Sequence, residues 1–279
     1  MESSIWDMFG LLKILDDVKH LKRTGWLRYN IGEPETVASH MYRMAMLAMV
    51  LDDSGFDRAK CIRMALVHDL SEAIVGDITP FCGISSEQKH HLENEIEEPE
   101  TVASHMYRMA MLAMVLDDSG FDRAKCIRMA LVHDLSEAIV GDITPFCGIS
   151  SEQKHHLENE AMKKIVQMVP AATGSDWYSL WREYEMNATK EAMIVKHLDK
   201  FDMIAQAFHY EQKYNIGKAH FIDIYYISDL EEFFTSTENL FTLEPFVTWN
   251  RELRAKRSQS KAAANSPVTL MANDADSVS

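Results

Sequence analysis

Histidine and carboxylate side chains stand in this chain at spacings that suit divalent-metal chemistry. In Leu131-Val132-His133-Asp134-Leu135-Ser136-Glu137-Ala138-Ile139-Val140-Gly141-Asp142 a His-Asp pair lies among apolar residues, Glu137 follows His133 by four, and Asp142 comes just after Gly141. His40 stands three residues after Val37 and four before Met44, so on a helix it faces inward. Asp199 falls on a stripe with Ala192, Val195, Met203, Gln206 and Tyr210. Imidazoles and carboxylates without nearby cysteines disfavour a structural zinc site and favour Mn, Co, Fe or Mg chemistry. Such an ion generates hydroxide at neutral pH and neutralises a phosphate ester. Glu137 is placed to act as general base or to hold a second ion, with Asp142 assisting either role. Each residue also has a plainer reading: a lone inward histidine is more often a satisfied core residue. A solvated charged face, however, carries Lys and Glu rather than His-Asp flanked by Leu and Val.

Every one of these residues except Asp199 occurs twice. Residues 33–95 reappear unchanged as 98–160, separated by Ile96-Glu97. His40, His68, Asp69, Glu72 and Asp77 (copy one) are therefore twins of His105, His133, Asp134, Glu137 and Asp142 (copy two). A repeat with no substitutions is not a diverged solenoid unit; it reads as a recent tandem duplication or as an error in assembling the coding sequence. Asp199, Arg23 and Trp26 occur once, so at most one site is complete. The longer connection changes loop-closure entropy by only about 0.6 kcal/mol per doubling of length, which does not decide between copies. Copy two keeps the spacing to Asp199, copy one keeps the spacing to Arg23 and Trp26, and helix continuity through residue 169 favours copy two. A domain-swapped assembly, with copy one completing a neighbour's site, is the other solution.

The elements that must position these groups are helical. Ile5 to Leu21 recurs at three- and four-residue spacing. A loop follows over 22–28, then a helix from about Thr36 to Leu51. A further helix begins at Asp57 and runs to Gly76, with Cys61, Ala65, His68, Asp69 and Glu72 inside about a 100° arc. Ser85 opens another helix, which continues unbroken only in copy two. A Gly/Ser turn is expected at 173–176, a helix from Thr189 to Tyr214, and one or two more within 222–255. No segment alternates with period two, so the fold class is all-α. Residues 1–255 read as a single domain, and 256–279, rich in Ser, Ala, Asn and Asp, as a disordered tail.

The chain has 279 residues and a formal charge of −15. Without one copy and its spacer 214 residues remain, enough for one domain with a real core. Each copy carries 5 Lys/Arg and 11 Asp/Glu, so a single-copy chain stays acidic. That argues against a nucleic-acid polymer as partner, which needs a basic surface. A phosphate-bearing substrate then needs local help from an ion or a placed cation. The four cysteines are two positions counted twice, and no C-x-x-C, leader or long apolar run is visible. The reading is a reduced, soluble protein of the cytoplasm with no membrane partner.

These pieces together resemble the HD-domain metal-dependent phosphohydrolases, and within them the 5'-deoxynucleotidases. The resemblance rests on Arg23-Thr24-Gly25-Trp26, Ser104-His105-Met106-Tyr107-Arg108-Met109-Ala110, Ala130-Leu131-Val132-His133-Asp134, Ile139-Val140-Gly141-Asp142-Ile143 and His197-Leu198-Asp199. It covers roughly residues 5–255. It implies an HD-domain helical bundle with His105, His133, Asp134 and Asp199 on the main divalent ion. Glu137, Asp142 and the backbone of Ile143 would hold a second ion or support the attacking water. Arg23 would orient the phosphate, Trp26 would lie against the sugar, and Asp142, Ile143, Thr144 and Pro145 would line the pocket. The implied reaction is hydrolysis of a deoxyribonucleoside 5'-monophosphate by a homodimer. Competing readings are an HD-type hydrolase of cyclic dinucleotides or guanosine polyphosphates, and a non-enzymatic helical interaction protein.

Overall fold

The computed structural model describes residues 7–27, 29, 31–51, 55–77, 100–117, 120–144, 147–214 and 230–264. Every regular element among them is a helix, and the β-bridge between Lys22 and Thr36 is isolated, so the all-α expectation holds. The described residues fall into two compact units by contact, Met1–Asp202 and Met203–Ser279. The first holds α1 (Met8–His20), α2 (Thr24–Leu27), α3 (Val37–Val50), α4 (Arg58–Val67), α5 (Glu72–Val75), α6 (Val102–Met114), α7 (Arg123–Val132), α8 (Glu137–Val140), α9 (Ser151–Val166) and α10 (Ala171–Met186). The boundary falls inside α11 (Lys190–Lys213); α12 (Glu231–Thr235) and α13 (Phe246–Ala264) belong to the second unit. No helix among the described residues is long and apolar enough to cross a membrane.

Identical sequence forms identical local structure. Thr36 and Thr101 cap α3 and α6 by accepting from Ser39 N and Ser104 N, at 3.2 and 3.1 Å. Asp57 and Asp122 cap α4 and α7 in the same way, each at 2.9 Å from a lysine amide. The helix expected from Asp57 to Gly76 is instead broken at His68–Ser71. There Leu70 N bonds Val67 O and Glu72 N bonds Asp69 O, at 3.1 and 3.0 Å, tightening the chain into a turn before α5. Copy two repeats this break at His133–Ser136. Gly76 and Gly141 end α5 and α8 at φ 74° and 76°, the left-handed side of φ that glycine adopts freely.

The two copies pack against one another reciprocally. The Tyr42 hydroxyl donates to Leu131 O at 3.1 Å, and the Tyr107 hydroxyl donates to Leu66 O at 3.2 Å. Ala59, Ile62 and Arg63 line one small cleft with their twins Ala124, Ile127 and Arg128. Residue i meets j and j's twin meets i's, the contact pattern of a two-fold axis. What differs is the cover. α10 packs on α7, and Trp177, Leu180, Trp181 and Tyr184 bury the apolar face of copy two. Met129 and Leu112 are fully buried, whereas their twins Met64 and Leu47 are 57% and 58% exposed.

Three further expectations need correction. The 22–28 loop contains the helical turn α2. Residues 173–176 are not a turn but lie inside α10, because Pro170 starts that helix and Gly174 lets it approach α9. A Cβ on Gly174 would lie 2.4 Å from Val166 O. Finally, α13 continues past Lys256 to Ala264, held in the second unit by Arg257, which grips Glu211 at 2.6 and 2.7 Å and lies over Phe234. Residues 265–279 lie outside the described residues.

Candidate metal centre

Copy two gathers its histidines and carboxylates from α6, the turn after α7, and α11. His133 donates from Nδ1 to Ala130 O at 2.9 Å, which leaves Nε2 with the lone pair. That Nε2 is buried and makes no hydrogen bond, although Asp134 Oδ2 lies 3.1 Å away. His105 Nε2 stands 3.7 Å from Asp134 Oδ2 and 3.7 Å from Asp199 Oδ1. These gaps are too long for hydrogen bonds, but two ligands each about 2.1 Å from one ion lie about 3–4 Å apart. The orphaned buried Nε2 of His133 beside Asp134, with His105 Nε2 standing between Asp134 and Asp199, fits a divalent cation held by His105, His133, Asp134 and Asp199.

A second layer orients this set. His105 Nδ1 donates to Asp202 Oδ2 at 2.7 Å, and Arg108 Nε donates to Asp202 Oδ1. Arg108 and Asp202 are buried, and Lys19 and Glu100 close the charge network behind them. Tyr184 donates to Asp199 Oδ2 at 2.9 Å and lays its ring 4.8 Å from that of His133. Burial pulls the His105 pKa down, but the hydrogen bond to Asp202 and the charges of Asp202, Asp199 and Asp134 outweigh it, to about 9. Burial, then Asp134 and Asp142, pushes Glu137 up to about 8. Burial disfavours the Asp134 carboxylate, yet the charges of His133 and His105 hold its pKa below the usual carboxylate range. Without a cation, then, this centre binds protons in its place.

Copy one repeats the triad without its surroundings. His40 Nε2 is 3.7 Å and His68 Nε2 3.1 Å from Asp69 Oδ2, matching copy two. Asp199 and Tyr184 belong to the other copy, and the His68 side chain is 34% exposed against 0% for His133. Arg23 and Trp26, expected beside the complete centre, are here. Arg23 Nη1 donates to Glu35 Oε1 at 3.0 Å and lies 3.2 Å from His40 Nδ1; Trp26 Nε1 donates to Glu35 at 3.3 Å. Thr24 receives Asp77, its amide 2.6 Å from Oδ2 and its hydroxyl donating to Asp77 O at 2.8 Å. Glu72 follows on α5.

The pocket residues of copy two are only partly as expected. Asp142 is exposed, and among the described residues none bonds it as Thr24 bonds Asp77; Thr144 is half-buried. The Ile143 carbonyl accepts Lys154 Nζ at 2.8 Å and so is already occupied. Pro145 lies outside the described residues. Sequence reasoning missed Lys154, Tyr184 and Asp202. Only Asp202 left a signal, three residues after Asp199 on the same helical face.

A family model described as HD domain matches residues 15–98 and again 91–233. The first match contains Arg23 and copy one, the second copy two and Asp199. Among curated relatives, 5'-deoxynucleotidase HDDC2 of Homo sapiens is 42% identical over 172 residues, 61% of this chain and 79% of that one. The protein of that name from Dictyostelium discoideum is 33% identical over 72% of this chain and 76% of its own length. 5'-Deoxynucleotidase YGK1 of Saccharomyces cerevisiae is 36% identical over 60% and 74%.

Proposed function

Because the chain belongs to the HD domain family, we propose that it is a metal-dependent 5'-deoxynucleotidase working through copy two, and that it releases phosphate from deoxyribonucleoside 5'-monophosphates. The observation that carries the choice of copy is Asp199, which stands 3.7 Å from His105 and is absent from the copy-one triad. His105, His133, Asp134 and Asp199 would hold the ion, with Mn, Co or Mg suited to this donor set. Bound there, the ion would act as a Lewis acid on the phosphate and lower the pKa of water enough to make it a nucleophile near neutral pH.

The protein's own groups do the rest. Tyr184 and Lys200, whose Nζ is 3.1 Å from Asp199 Oδ2, hold that carboxylate so that Oδ1 faces His105. Glu137 is placed to take the proton of the attacking water and to return it to the 5'-oxygen as the P–O bond breaks, with Asp142 assisting. Since Arg23 is engaged at copy one, the nearest role for a phosphate-facing cation passes to Lys154, whose charge acts on both Asp134 and Glu137. The homodimer implied by the resemblance belongs to the same reading, with a second chain seated on the open face of copy one.

Phosphate release from deoxy- and ribonucleotides, with Mn, Co or Mg and with EDTA, tests this. His133→Ala and EDTA are expected to reduce release to background, while His68→Ala leaves it within about threefold of the parent. Loss confined to His68→Ala would move the site to copy one, and full activity in both variants would remove the metal reading.

A further inference from the structure

The two triads have the same sequence and nearly the same spacing, yet the first histidine of each meets an opposite partner on its far nitrogen. His105 Nδ1 faces the Asp202 carboxylate at 2.7 Å. A carboxylate only accepts, so Nδ1 carries the proton and Nε2 presents its lone pair to the centre whenever the ring is neutral. His40 Nδ1 faces the Arg23 guanidinium at 3.2 Å. A guanidinium only donates, so Nδ1 must accept, and the neutral ring carries its proton on Nε2, the atom facing Asp69. That nitrogen has no lone pair left for a metal. The second histidines do not differ, because His68 and His133 both donate from Nδ1 to a helix carbonyl at 2.9 Å.

We propose that the partner on Nδ1 selects which triad binds a divalent ion: Asp202 commits His105 to ligation, and Arg23 withholds His40. Asp202 is thereby a positioning residue, and Arg23, in this chain, silences the surplus copy. The wider contacts agree with the assignment. Asp202 is held from behind by the buried Arg108, whereas its twin Arg43 is exposed and bonded to Glu35 at 2.7 Å. Glu100, His105 and Asp202 also converge closely enough to suggest a cation, but Arg108 and Lys19 already supply the positive charge there. One ion per chain follows.

The geometry also dictates an isosteric test. In Asp202→Asn one acceptor oxygen becomes an NH2 group. Arg108 Nε can only donate, so the amide oxygen must turn to it, leaving the NH2 to face His105 Nδ1. His105 is then forced into the arrangement of His40. Removing an outer-shell partner typically costs about 10–100-fold in metal affinity. Conversely, Arg23→Met removes the donor from His40 at similar length and frees its Nδ1 to hold the proton.

The experiment counts Mn bound at equilibrium dialysis and records nitrogen-15 shifts of the histidine rings, with circular dichroism to confirm folding. Expected results are one ion per parent chain, lost in His133→Ala and kept in His68→Ala. Asp202→Asn should lose about 10–100-fold in affinity and show His105 unprotonated on Nδ1, the nitrogen that carries a proton in the parent. Arg23→Met should gain a second ion, held more weakly than the first because copy one has no counterpart of Asp199, and His68→Ala should remove it. Two equivalent ions in the parent, parent affinity in Asp202→Asn, or no second ion in Arg23→Met would each overturn the proposal. It rests on the metal reading of the same centre. Ion count and ring tautomer are nevertheless read without substrate, so a folded, ion-binding chain that releases no phosphate would refute the nucleotidase reading alone.

Discussion

Protons and a metal ion compete for the same atoms in copy two. His105 is held at about 9 and Glu137 at about 8, against ordinary values of 6.5 and 4.5, so at neutral pH the metal-free centre carries both protons. Both folded values lie above the unfolded ones. The His105 contribution to stability is therefore complete below pH 6.5 and lost as pH rises through about 9. Glu137 acts in the same direction between 4.5 and about 8, because the folded chain binds the extra proton there. Metal-free protein should thus become less stable from pH 5 to 9, while metal affinity rises over the same interval as protons are released. Calorimetric titrations in two buffers of different ionisation enthalpy measure that release. A metal affinity unchanged between pH 6 and 9 would contradict it.

At the level of elements, the complete centre depends on α10 reaching α7 across α9. Gly174 sets that approach, since a methyl there would lie 2.4 Å from the Val166 carbonyl, a backbone atom that cannot swing aside. Gly174→Ala should cost about 1–3 kcal/mol by overpacking, lowering the thermal midpoint by several degrees and loosening Tyr184 from Asp199. Gly25→Ala, where the added methyl meets nothing within 4 Å, is the control and should shift the midpoint little. Equal effects of the two substitutions would show that this helix contact does not govern the site.

For the molecule as a whole, the unequal cover of two equal faces is the dominant fact. Met44, Leu47, Leu51, Met64 and Val67 are exposed on copy one, while their twins Met109, Leu112, Leu116, Met129 and Val132 are buried on copy two. Exposed apolar residues clustered on two helices that pack together, as α3 and α4 do, mark an association site. The duplicated chain should therefore associate as its concentration rises, and Leu47→Glu with Met64→Glu should abolish association without unfolding it. The twin changes Leu112→Glu and Met129→Glu should unfold the first unit, because they place charge in the core. Sedimentation velocity checks both expectations; a parent chain that stays monomeric at high concentration excludes the association.

Local chemistry was legible in the amino-acid order: the helices, the Asp57 cap, the glycine stops, and the candidate ligands His105, His133, Asp134 and Asp199 follow from residue type and spacing. The break after Val67 and Val132 was not, because turn and helix share the same periodicity over four residues. The partition between copies was legible only in part, through the spacing kept to Asp199 and the helix continuity that favour copy two. Identical segments have identical propensities, so no local signal distinguishes His40 from His105. Only the tertiary structure decided that α10 and α11 cover copy two, that Asp199 and Asp202 reach His105, and that Arg23 and Trp26 go to copy one. The physical reason is that each of those partners exists once, and a single side chain can satisfy the burial and hydrogen bonding of only one of two equal surfaces.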